Sequence, residues 1–308
     1  MSERLAIELC GARLENPLVN GSGTLDAVVA GPLGLGAYVT KTITLRPREG
    51  NAPQRIAETA AGMVNSIGLA NPGLDAFCTS VAPALAELAV PLVVSVGGWS
   101  HDEYAQAVRR VSVLPGVVAV ELNVSCPNVD TGCISIGSDP AETRALLRRC
   151  CAESDLPVLA KLSPSVADVA AIGEAAAEGG AAGLVVINTV RGMAIDRETL
   201  RPLLGGGGGG LSGPAVKPAG LHAVFHCFAR TGLPIVGMGG VASVQDVVEY
   251  LAAGAAAVGL GTALFRDPGL PTRILPELDG ELARRGLATV ADLVGCAHQP
   301  QAKALQEI

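Results

Sequence analysis

The chain has 308 residues, 49% of them hydrophobic and 17% charged, with 39 glycines and 3% aromatics. That is enough to bury a full core, in the alanine-, valine- and glycine-rich composition of an α/β protein. A net charge of −7 offers no basic surface to nucleic acid or anionic lipid, and the apolar runs are strand-length or broken by glycine and proline, which argues against a membrane span.

Strand-like and helix-like runs alternate along the chain. Residues 17–20 read as a strand leading into the small-residue loop GSGT at 21–24. Residues 37–42 read as a second strand, carrying Lys41 near its end. A polar, turn-rich excursion covers 44–72; long loops of this kind in compact enzymes tend to be functional. A helix is expected near 74–88, a strand at 91–96 and a helix at 101–113. The stretch VAVELNVSCPN at 118–128 begins as a buried strand and turns abruptly polar, with Pro127 stiffening the turn after Cys126. Taken alone, Cys126 reads as a small core residue. Asp139 and Pro140 start a helix running to about 151. Then come a strand at 157–162 containing Lys161, a helix at 166–178 and a strand at 183–188. A second long loop, 190–214, includes six consecutive glycines at 205–210, which read as a flexible, low-complexity segment. Helix 215–230, strand 234–237, a Ser-capped helix at 243–253 and strand 256–260 follow, and helices finish the chain.

Eight strands, nearly all followed by helices and with no break in composition, predict a closed (β/α)8 TIM barrel. It would be one domain over 1–308 with loop insertions near 44–72, 127–139 and 190–214. The alternative, a doubly wound sheet, lacks its glycine fingerprint after the first strand. In a barrel all eight strand C-termini meet on one face. Those ends carry Ser22, Lys41, Ser95, Asn123, Cys126, Asn128, Lys161, Asn188 and Thr189, with Gly239-Gly240 and Gly261-Thr262 after the last two strands. Two lysines at buried strand ends call for an anionic partner. The final glycine pairs suit a phosphate. The carboxamides Asn65, Asn123, Asn128 and Asn188 suit a planar ring with alternating C=O and N–H groups.

The eight cysteines (10, 78, 126, 133, 150, 151, 227 and 296) form no CxxC pair, so neither a disulfide framework nor a structural zinc site fits. His222 and His226 stand four apart in LHAVFHCF, which reads as a packing face, and no metal is expected. The opening MSERLA lacks the basic-then-apolar order of a secretion signal, so a cytoplasmic protein is expected.

Together GSGT at 21–24, TKT at 40–42 with PREGN at 47–51, NSIGL at 65–69, ELNVSCPN at 121–128, INT at 187–189, LSGPAVKP at 211–218 and GMGG at 237–240 resemble the class 1 dihydroorotate dehydrogenases. These are flavin enzymes of pyrimidine biosynthesis. The stretches PREGNAPQRIAET and NSIGLANPG are similar to the type 1B subgroup, the catalytic subunit of a complex with an FAD and iron–sulfur protein that passes electrons to NAD. The resemblance implies FMN as cofactor and Cys126 as general base. It implies that Lys41, Asn65, Ser66, Ile67, Gly68, Leu69, Asn123, Asn128, Asn188 and Thr189 hold dihydroorotate. FMN would be held by Ser22, Lys41, Thr42, Ser95, Asn123, Lys161, Ile187, Gly213, Gly239, Gly240, Gly261 and Thr262. It further implies a homodimer core within a heterotetramer. Two features depart from the pattern: Ser95 stands where the family usually has asparagine on the flavin, and the hexaglycine is atypical. A dihydropyrimidine dehydrogenase-like enzyme is the alternative, disfavoured by Asn128 where that family has histidine. A non-catalytic flavin-binding barrel is the other; it would not need Lys41, Cys126 or the carboxamides.

Overall fold

The structure, a computed structural model, describes residues 3–125 and 136–299. Eight parallel strands form the centre: β1 (Leu18–Asn20), β2 (Tyr38–Val39), β3 (Leu92–Gly97), β4 (Val117–Asn123), β5 (Val158–Lys161), β6 (Gly183–Val186), β7 (Ile235–Met238) and β8 (Ala257–Leu260). Neighbours run β1-β8-β7-β6-β5-β4-β3-β2. A bridge between Val19 and Ala37 brings the last strand back to the first and closes the (β/α)8 barrel. That seam is thin, and a side chain completes it. Asn20 Oδ1 accepts from Val39 N at 2.7 Å while its Nδ2 donates to Val39 O at 2.8 Å, standing in for ladder bonds.

Alternation fills the barrel in layers. Val19, Val39, Val93, Ala119, Leu159, Val185, Val236 and Ala257, one from each strand, pack together inside it. Leu9 and Leu14, from the antiparallel hairpin of Ile7–Leu9 and Ala12–Leu14, join that cluster and plug the N-terminal end. A larger apolar shell lies between strands and helices, with Tyr104, Leu146, Leu147, Tyr250 and Leu278 fully buried. Helices begin where side chains cap them: Asp139 before Pro140–Cys151, Asp168 before Val169–Glu178 and Ser243 before Val244–Ala252. Of the LHAVFHCF face, Ala223, Val224 and Cys227 are buried, but His222 and His226 are exposed, so the histidines are not part of the packing.

Two expectations are corrected. Residues 37–42 are not one strand: pairing to β3 breaks around Lys41 and resumes at Ile43–Thr44, taking the lysine out of the ladder. Neither long loop is irregular throughout. Ile56–Thr59, Gly62–Asn65, Gly209–Ser212 and Val190–Gly192 form a four-stranded antiparallel sheet over the barrel mouth. The hexaglycine is therefore not a flexible tract, since its last two residues are strand. A Cβ on Gly209 would collide with the backbone oxygen of Asn65, and one on Gly210 with the Thr189 side chain. Glycine is required because two other segments press against its backbone.

Candidate functional site

One step up each strand from the apolar layer, at i+2, the inward positions become Gly21, Lys41, Ser95, Glu121, Lys161, Ile187, Met238 and Gly259. Above them, under the antiparallel roof, lies a cavity of about 1290 Å³. Lys41, Asn123, Lys161, Ile187, Asn188 and Thr189 line it. Gly23 gives Lys41 its path: a Cβ there would stand 2.7 Å from Lys41 Cδ.

The floor is hydrogen-bonded. Lys161 is 5% exposed, its ammonium 3.7 Å from Glu121 Oε1, an ion-pair distance longer than a hydrogen bond. Ser95 Oγ donates to Glu121 Oε1 at 2.7 Å and meets Thr42 Oγ1 at 3.0 Å. Asn123 Nδ2 donates to Thr42 Oγ1 at 3.0 Å, and Ser22 Oγ donates to Thr40 O at 2.8 Å. Tyr104 supports the strand end from behind, donating to Asn123 O at 2.7 Å. Asn188 Nδ2 donates to Ser125 Oγ at 2.9 Å and its oxygen accepts from Thr189 N at 2.8 Å, which fixes the carboxamide plane.

At the β7–β8 end the lining is rich in glycine, with Gly213, Gly239, Gly240 and Gly261 beside Thr262. Nothing stands within 4 Å of where a Cβ on Gly261 would point, so its main chain faces open space. The Gly239-Gly240 turn is braced from outside. Tyr250 donates to Gly239 O at 2.7 Å, and burial pushes its phenol above its usual range, keeping it a donor. Lys217, held above the usual lysine range by Asp246 and Glu249, packs its Cβ 2.9 Å from where a Cβ on Gly240 would stand.

On the roof, Asn65, Ile67, Gly68 and Leu69 line the cavity, whereas Ser66 turns away and accepts from Asn51 Nδ2 at 2.8 Å. Arg48 secures this loop, donating to Gly68 O at 3.2 Å with its guanidinium 4.5 Å over the Trp99 ring.

The dihydroorotate dehydrogenase profile matches residues 4–282. A dihydroorotate dehydrogenase B (NAD(+)) catalytic subunit from Desulforudis audaxviator is 44% identical over 304 residues, covering 97% of this chain and 99% of the relative. The protein of the same name from Anoxybacillus flavithermus is 42% identical over 297 residues, with 95% of each chain covered. The chain belongs to the dihydroorotate dehydrogenase family. The solved structure of DHODH from Eimeria tenella in complex with ferulenol shares its fold at a TM-score of 0.83, with 24% identity over 97% of this chain and 90% of that one.

Of the expected site residues among those described, Ser66 and Ser95 are the two the fold does not bring to the cavity. Ser95 is fully buried and its hydroxyl is engaged by Glu121 and Thr42, one layer below the lining. Cys126 and Asn128 lie outside the described residues, as does most of the expected insertion at 127–139. Sequence reasoning missed Glu121, Ser125 and Asn20. The signal for Glu121 was available, since a carboxylate inside an apolar strand is rarely there without a partner. Among the described residues no helix is long and apolar enough to cross a membrane.

Proposed function

We propose that this protein oxidises dihydroorotate to orotate in pyrimidine biosynthesis, with FMN as cofactor. The observation that carries the reading is the convergence of two lysines, three carboxamides and a glycine-lined end on one cavity, in a chain of this family. The lining fits the cofactor. The open main chain at Gly261, with Gly213, Gly239, Gly240 and Thr262, suits its phosphate. Ser22, Thr42, Asn123 and Ile187 would hold the ring, and Lys161 its pyrimidine edge, where an ammonium favours negative charge. FMN bound there supplies the hydride acceptor.

The remaining chemistry belongs to the chain. Lys41 meets the substrate carboxylate. Asn65, Asn123, Asn128, Asn188 and Thr189, with residues 67–69, hold the pyrimidine by its alternating donors and acceptors, while Ser66 supports the loop through Asn51. Cys126 takes the proton from C5 as a thiolate base. The roof sheet excludes water while the proton moves. Anaerobic dihydroorotate should bleach the yellow of the purified protein and yield orotate. Bleaching by dihydrouracil instead would assign a dihydropyrimidine dehydrogenase-like activity, and bound flavin that neither reduces would indicate a non-catalytic barrel. Residues 1–308 form one catalytic domain, working in the cytoplasm as a homodimer within a heterotetramer whose FAD and iron–sulfur subunits deliver electrons to NAD. The "B (NAD(+)), catalytic subunit" in the relatives' name supports a separate electron-transfer partner. The isolated chain is then expected to reduce NAD poorly, and rapid NAD turnover by it alone would refute the partner.

A further inference from the structure

Among the described residues Glu121 is the only buried acidic side chain, 1% exposed, and it does not line the cavity. A carboxylate in that position is costly unless paired and hydrogen-bonded. It has both kinds of partner: Ser95 Oγ at 2.7 Å and Lys161 Nζ at 3.7 Å.

The proton count of the hydroxyls extends its reach. An ionised carboxylate only accepts, so Ser95 spends its single proton on Glu121 and can only accept from Thr42 at 3.0 Å; Ser22, whose proton goes to Thr40 O, stands 3.1 Å from Thr42 as a second acceptor for the same proton. Thr42 must then accept from Asn123 Nδ2 at 3.0 Å. Asn123 Oδ1 accepts from Ser125 Oγ at 3.1 Å, and Ser125 Oγ accepts from Asn188 Nδ2 at 2.9 Å. The carboxylate thus orients the interior end of a hydrogen-bonded row whose amide links, from Asn188 and Asn123, donate from nitrogen in the same sense, and such rows strengthen cooperatively. In this chain Ser95, the departure from the family pattern, is the link that joins the row to the carboxylate.

We propose that Glu121 is a positioning and charge-setting residue of this site. It holds the Lys161 ammonium at the cavity wall and partly neutralises it. It also anchors, through Ser95 and Thr42, the hydrogen-bonded row on which the Asn123 carboxamide rests. The inference rests on the flavin reading above for the identity of the bound ring.

Glu121→Gln separates charge from hydrogen bond, because the carboxamide oxygen still accepts from Ser95. With Lys161 uncompensated, the flavin midpoint potential, read by dye equilibration without turnover, is expected to shift positive of wild type. Glu121→Asp keeps the charge and should lie closer to wild type. A Glu121→Gln potential equal to wild type overturns the proposal. A second measurement needs neither flavin nor the single Gln variant to fold. Lys161→Met leaves a buried, unpaired carboxylate, so the flavin-free double variant Lys161→Met/Glu121→Gln should melt at a higher temperature than Lys161→Met. No recovery overturns the pairing. Wild-type protein that binds no FMN, or whose FMN dihydroorotate does not bleach, sinks the functional reading instead; a wild type that passes with an unmoved Gln variant sinks only the role of Glu121.

Discussion

Burial pushes the thiols of Cys150 and Cys227 up to about 12 and that of Cys10 to about 11, with no apposed cation strong enough to reverse it. Raised thiol values favour the neutral form in the folded state. Their contribution to stability is therefore complete below the unfolded value near 9 and is lost as pH rises from there toward 12. The melting temperature is expected to fall between pH 9 and 11, less steeply in Cys227→Ala. Iodoacetamide at pH 8 should leave Cys150 and Cys227 unmodified in the native protein, as peptide mapping would show; labelling at the denatured rate would contradict their burial. Cys126 is assigned the opposite character. Cys126→Ser should retain FMN and lose about 10²- to 10⁴-fold in the rate of flavin reduction at neutral pH, the usual worth of a positioned base. Full-speed reduction would remove the thiol from the mechanism.

The roof strand Gly209–Ser212 works through what it lacks. Its carbonyl at Gly210 accepts from Asn65 Nδ2 at 3.3 Å while its Cα lies against Thr189, so two proposed substrate contacts bear on one glycine. Gly210→Ala must displace Thr189 or the strand, a strain of about 1–3 kcal/mol. If it is felt mainly by bound substrate, KM for dihydroorotate should rise about 10- to 100-fold at that strain. FMN content should stay the same, because the floor is untouched. A loss of FMN with unchanged KM would place the strand's role elsewhere. Compositional reading of six glycines could not reveal this, since close approach depends on Thr189 and on Asn65, the latter more than a hundred residues away. The strand-end residues were legible for the converse reason. Alternation and the parallel barrel force Lys41, Asn123, Lys161 and Asn188 to the same face once eight strands are counted. Glu121 was hidden by its neighbours: in VAVELN its alternation with Ala119 and Asn123 is inward, but the run reads first as apolar.

Over the whole molecule, the barrel is held shut at its weakest seam by Asn20. Asn20→Ala leaves the N–H and C=O of Val39 buried without partners, at about 1–3 kcal/mol for each group. The urea midpoint should fall accordingly, and a change worth less than about 1 kcal/mol would show that water or strand shift replaces the amide. No sequence pattern announces such a residue, because its value lies in joining the first strand to the second across a closure that only the complete fold creates. The roof is a different case. Its apolar support is a small cluster of its own, Ala57, Val64 and Leu204, separate from both barrel clusters. The cover over the cavity can therefore loosen at a free-energy cost far below that of unfolding the barrel. Amide hydrogens at 56–65 and 209–212 should exchange with deuterium well before those of β3 to β8, and bound orotate should slow the first set alone. Admission of substrate is thereby uncoupled from the persistence of the barrel that receives it.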